Sequence, residues 1–185
     1  MEGAYKEHAV VREPNFKTYL AKFGLIGGAI ALILFGILMA GSNFGTVFIG
    51  VGIIMFFVTL TFWGRFNVTY EYIYCDGQFD FDKISGGEDR KHLLRADLDS
   101  VDLMAPADSK ELNGLNNTPG LRVKDFSSGR DDAVKYAIVW SDKEQKIKVI
   151  FEPTDEMLTM AKQKAPRKVL IGNEIVGNYV TAERY

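Results

Sequence analysis

From position 23 to position 64 the chain carries 42 consecutive uncharged residues, and only Ala40-Gly41-Ser42-Asn43 interrupts their apolar character. A bilayer core of roughly 30 Å is crossed by about 20 helical residues. The run is too long for one span, and it predicts two membrane-spanning helices joined by a tight turn. From position 66 the period changes to two. Phe66, Val68, Tyr70, Tyr72 and Tyr74 alternate with Asn67, Thr69, Glu71 and Ile73, the pattern of a strand with aromatic and β-branched residues on its inward face. Asp76-Gly77 supplies a turn, and further strands are expected at 79–84, 91–96, 101–104, 121–126, 135–141 and 146–151, seven in all. Residues 106–120 hold Asn113-Gly114, Asn116-Asn117 and Pro119-Gly120, and read as a polar, mobile loop. Pro153-Thr154-Asp155-Glu156 then opens a helix, with Thr154 as N-cap and Met157, Met160, Ala161 and Lys164 on its inner stripe, before Pro166 ends it.

The pattern thus divides the chain into an amino-terminal tail (1–22), a helical hairpin (23–64), a β domain with a carboxy-terminal helix (65–165) and an extension (166–185). The roughly 120 residues after the hairpin suffice for one small domain with a core and not for two. In the extension, Val169-Leu170-Ile171 and Ile175-Val176 predict an added hairpin or an extended strand packed on the domain.

Charge adds orientation. Lys17 and Lys22 precede the first span and Arg65 follows the second, while the turn between the spans is uncharged, so both flanks are expected in the cytoplasm of a two-span membrane protein. Tyr19 and Trp63 join Lys17, Lys22 and Arg65 as membrane-interface anchors. The competing reading is a secretory signal ending near Ala40, but its apolar stretch is long and Leu38 is a poor residue two places before Ala40. Gly24, Gly28 and Gly36 give the first helix a smooth side, expected to pack on the second helix around Thr46 and Gly50 or on another copy. No ionisable residue lies within residues 23–64, which disfavours a transporter or pump.

From position 65 onward 18 basic residues face 21 acidic ones, a balance that excludes nucleic-acid binding by charge. Catalytic chemistry finds no footing in the spacing. His8 and His92 stand in no metal-ligand motif, the single Cys75 has no Cys or His partner nearby, and Ser85-Gly86-Gly87 lacks the Lys-Ser/Thr ending of a phosphate loop. Asp97, Asp99 and Asp102 lack an oxygen ligand at Val101 and a following glycine, so they read as turn residues rather than a calcium loop. Neither an enzyme, a metal site nor a cofactor is expected.

Three stretches carry a resemblance. Tyr70-Glu71-Tyr72-Ile73-Tyr74-Cys75-Asp76-Gly77 as a first hairpin, Leu94-Arg95-Ala96-Asp97-Leu98-Asp99-Ser100-Val101 as a strand turning into the next, and Phe151-Glu152-Pro153-Thr154-Asp155-Glu156-Met157 at the closing helix make residues 66–165 resemble the bacterial pleckstrin-homology-like domains of small membrane proteins. The resemblance implies a seven-stranded, bent antiparallel barrel capped by one helix and acting as a binding or scaffolding module. It does not by itself transfer a ligand. The first hairpin offers Asp76, Asp80 and Asp82 with no cation before Lys83, unlike the basic hairpins of phosphoinositide-binding members. The denser basic cluster is Lys162, Lys164, Arg167 and Lys168, a candidate contact for an anionic surface and equally a set of helix-end complements. The expected role is therefore protein interaction or self-association at the membrane. Binding of anionic lipid or envelope material, or service as an accessory subunit of a membrane complex, are the alternatives.

Overall fold

The computed structural model describes residues 4–87, 89–142 and 145–172, with the side chains of Arg65 and Phe66 outside that description. The expectations placed on those two side chains and on residues 173–185 therefore lie outside the described residues. The chain forms two compact units: a helical one of Glu13–Val68 with Ser85–Asp89, and a β one formed by the remainder.

In the helical unit, α1 (Phe16–Leu38) and α2 (Asn43–Thr61) are both long and apolar enough to cross a membrane. Gly41 turns the chain between them at φ +105°, and Ser42 caps α2 by accepting from the Gly45 N–H at 3.2 Å. The helices touch where side chains vanish. A Cβ on Gly36 would lie 2.7 Å from the Gly45 carbonyl oxygen, and one on Gly52 would lie 2.9 Å from the Ala29 carbonyl oxygen. Phe35 and Phe48 meet edge to face beside this seam, with ring centres 5.3 Å apart.

The β unit holds two four-stranded sheets. The first is ordered β1 (Tyr5–Val11), β2 (Val68–Cys75), β3 (Gln78–Ser85), β4 (Asp89–Asp97). The second is ordered β5 (Val101–Pro106), β7 (Tyr136–Asp142), β8 (Gln145–Phe151), β6 (Arg122–Asp125). All seven expected strands are present, but the closed, wholly antiparallel seven-stranded barrel is not. Among the described residues there are eight strands, no closed barrel, and one parallel pair, β6 with β8. The added strand is β1, which pairs antiparallel with β2 from Tyr5 opposite Cys75 to Val11 opposite Thr69. The segment read as a tail is thus a sheet edge. Only Val10 of β1 is buried, so a strand dominated by Tyr5, Lys6, Glu7 and His8 showed no apolar periodicity to find.

Tyr72, Tyr74, Phe79, Phe81 and Phe151 form a fully buried aromatic core, with the Phe81 and Phe151 rings edge to face at 5.1 Å. The closing helix α4 (Asp155–Lys164) adds Met157, Leu158 and Ala161 to the buried set and is capped by Thr154 as expected. The segment read as a polar loop is folded. Lys110–Leu112 makes a 3-10 turn and Asn113–Asn116 a single α-helical turn, α3. Together they bury Leu112 against Ala105, Ala137 and Val139 in a second apolar cluster. After α4 the chain runs beside β5, with the Met104 N–H donating to the Lys168 carbonyl and the Leu170 N–H to the Met104 carbonyl, each at 2.8 Å. That fully buries Val169, so the described part of the extension packs as an extended segment.

Candidate functional site

The interface anchors converge in part. Lys22, in the second turn of α1, is almost completely buried. Its ammonium donates to Asn67 Oδ1 at 3.2 Å and lies 4.9 Å from the centre of the Trp63 ring. Tyr19 stacks on Phe23 at 6.3 Å, and Lys17 is exposed on the first turn of α1. Of the expected packing glycines, Gly36 lies in the helix seam and Gly28 sits against Met55, where an added Cβ would be 3.3 Å from Cε. Added Cβ atoms on Gly24 and Gly50 would meet nothing within 4 Å. The close approach on α2 is made by Gly45 and Gly52.

The basic cluster is gathered at the end of α4, but most of its charge faces the protein. Lys162 Nζ donates to the Val169 carbonyl at 2.9 Å. Lys168 Nζ donates to the carbonyls of Leu98 at 3.2 Å and Asp99 at 2.6 Å, and Lys164 pairs with Asp76 at 3.5 Å. Of these four, Arg167 is the exposed cation without an ion-pair partner among the described residues. A shallow depression of about 220 Å³ lies between Asp99 and Arg167. Its lining mixes the Asp99 carboxylate with the cations of Lys164, Arg167 and Lys168, of which Lys164 and Lys168 are already engaged by Asp76 and by backbone carbonyls.

Sequence reasoning missed the charged outer face of the first sheet. Arg90 joins Glu71 of β2 to Asp82 of β3, and His92 Nδ1 lies 2.9 Å from the other Asp82 oxygen. Burial opposes ionisation of Asp82, but the hydrogen bonds from Arg90 and His92 outweigh it and hold the carboxyl below its ordinary range. Arg95 makes a two-point contact with Asp80 on the same strands. The three aspartates that removed the first hairpin from consideration as a phosphate site are thus each matched to a cation: Asp76 to Lys164, Asp80 to Arg95, Asp82 to Arg90.

A polar lock sits where β6 leaves the second sheet. The buried Ser128 donates both its N–H and its hydroxyl to Glu152 Oε1 at 2.7 Å, and Tyr72 donates to the Phe126 carbonyl at 2.6 Å. Burial first, and then the Glu152 charge, push the Tyr72 hydroxyl well above its ordinary value, so it remains a donor. Arg12 completes the corner by donating to the Asp125 carbonyl at 2.8 Å and lying over the Tyr70 ring. Arg12, just past the end of β1, thus reaches Asp125 of β6 through its side chain, and among the described residues no backbone ladder joins β1 to β6.

Among the described residues no three His, Cys, Asp or Glu side chains group as metal ligands. Cys75 is exposed, and the described partner of His92 is Asp82. A family model described as "Bacterial PH-like domain (DUF6106)" matches residues 2–171. Comparison with curated proteins and with solved structures returned no match.

Proposed function

The chain belongs to the bacterial PH-like domain family, and from that premise we propose that it is a two-span membrane-anchored module whose β unit lies on the cytoplasmic side and holds a protein partner, or a second copy of the chain, at the membrane. The observation that carries the reading is the ladder between β1 and β2. These strands flank the helical hairpin in sequence and pair over seven residues, from Tyr5 with Cys75 to Val11 with Thr69. One sheet cannot be divided by a bilayer, so the ladder supports an even number of crossings and a single side for both flanks. Lys17 and Lys22 before the hairpin, against an uncharged turn at residues 39–42, support the cytoplasmic side.

The engagement of the basic side chains favours protein over lipid. Lys162, Lys164 and Lys168 already serve carbonyls or Asp76, which leaves Arg167 as the outward charge of the cluster. At about 1 kcal/mol per cation near an anionic surface, one Arg gives little membrane affinity.

Cys75, exposed at the end of β2, is a native reporter. In intact cells a membrane-impermeant thiol reagent should leave Cys75 unlabelled until the membrane is permeabilised. A Ser42→Cys variant carrying Cys75→Ser should label at once. Labelling of Cys75 in intact cells would refute the cytoplasmic assignment.

A further inference from the structure

The outer face of the second sheet is an apolar trough covered by the chain itself. Ala105 of β5 and Ala137 and Val139 of β7 form its floor, and Leu112 inserts between them with no exposure. Leu115 packs beside it. One turn of helix from Leu112, Asn116 Oδ1 accepts from Lys148 Nζ at 2.8 Å. Leu112, Leu115 and Asn116 thus stand at i, i+3 and i+4, the spacing by which an amphipathic helix reads a groove.

Two features make this cover a poor match for what lies beneath. Lys148 is only 8% exposed, yet among the described residues its hydrogen-bond partner is a neutral amide oxygen rather than a carboxylate. A buried ammonium is better compensated by a carboxylate, which adds an opposite charge to the hydrogen bond. The covering helix is also weak in itself. Asn113, Gly114 and Asn116 occupy a single α turn, and Asn and Gly are poor helix formers.

We propose that residues 110–116 are a displaceable occupant of a helix-docking trough, and that the trough takes a partner helix presenting two leucines and a carboxylate at i, i+3 and i+4, the carboxylate replacing Asn116 on Lys148. The small floor residues admit a leucine, the buried cation selects an acid, and a regular helix forms more readily than the chain's own segment. The proposal rests on the protein-binding reading above and names the surface and the partner chemistry.

The test uses the full chain in lipid nanodiscs and two fluorescent, alanine-rich helical peptides that carry Leu, Leu and either Glu or Gln at these positions. The Glu peptide should bind at least about tenfold more tightly than the Gln peptide, a difference of about 1.4 kcal/mol. It should also speed hydrogen exchange at residues 112–117. Lys148→Met should abolish the Glu preference. Asn116→Asp gives the chain's own segment the missing carboxylate, and should weaken peptide binding and slow exchange there. Equal binding of the two peptides, binding without faster exchange, or an Asn116→Asp variant that alters neither readout would overturn the proposal. So would a concentration-dependent dimer that exchanges these segments between copies and ignores the peptide. Site-specific cross-linking in cells separates the two readings: a protein partner captured through other faces of the β unit, with no peptide binding, removes the trough and leaves the protein-binding reading standing.

Discussion

The Lys22 ammonium lies over the face of the Trp63 ring, 4.9 Å from its centre, so the second turn of α1 is fastened to the residues that follow α2. The same ammonium reaches Asn67. The tie closes the open end of a hairpin whose other end is closed by the covalent turn at residues 39–42. A partly desolvated cation–π contact contributes about 0.5–2 kcal/mol. In a double-mutant cycle of Lys22→Met and Trp63→Leu, followed by thermal unfolding in nanodiscs, the coupling should fall in that range. Coupling indistinguishable from zero would mean that the contact contributes nothing to stability.

The helix seam should tolerate no side chain at its closest points. Gly36→Ala and Gly52→Ala drive a methyl against backbone carbonyls and should lower the melting temperature. Gly24→Ala and Gly50→Ala add a methyl in open space, and replacing Gly by Ala within a helix is worth roughly 0.5–1 kcal/mol, so they should be neutral or stabilising. A stable Gly36→Ala protein would show that the helices can separate at little cost.

Asp82 makes a pH-dependent contribution. Its carboxyl is held below its ordinary value in the folded chain, so its stabilisation is present above the unfolded pKa near 3.9 and is lost as pH falls through the lower folded value. Wild type should exceed Asp82→Asn in urea resistance at pH 6, and the gap should shrink as pH drops below about 4. A gap independent of pH would assign the loss to packing rather than to the Arg90 and His92 contacts.

Leu112, in the second apolar cluster, and Trp140 of β7 probe two buried positions separately. Both are buried, Leu112 completely and Trp140 at 5% exposure. Leu112→Ala should cost about 2–5 kcal/mol and Trp140→Ala about 3–5 kcal/mol. A loss below about 1 kcal/mol at Leu112 would mean that residues 106–120 are the loose loop their composition suggests.

Lipid binding is the remaining alternative for the β unit. Protein without the hairpin would lose the link between β1 and β2, so the full chain in nanodiscs of neutral or anionic lipid is the suitable material. Changing Lys162, Lys164, Arg167 and Lys168 to Gln should lower thermal stability, because three of them hold carbonyls or Asp76. Cross-linking of the β unit to lipid headgroups should be the same in both lipids. Headgroup cross-linking that is confined to anionic lipid, lost in 1 M salt and lost in the quadruple variant would establish a lipid-facing role, since salt at that strength screens beyond ~3 Å.

What the sequence alone determined is each local element whose pattern reports its own burial. The apolar run marked two helices, the alternation of Tyr70, Tyr72 and Tyr74 marked an inward strand face, and Pro153-Thr154 marked the start of α4. What only the tertiary structure decided is pairing. β1 draws its place from the ladder with β2 rather than from apolar residues, so its charged sequence read as a tail. β6 shows the same strand pattern whether it runs parallel or antiparallel to β8, because a period of two carries no direction. Leu112 and Asn116 looked like loop residues until Ala105, Ala137 and Lys148 came together beneath them. Local periodicity records which side of an element is buried; partner, direction and register depend on residues distant in the chain, and these are brought together only when the sheets form.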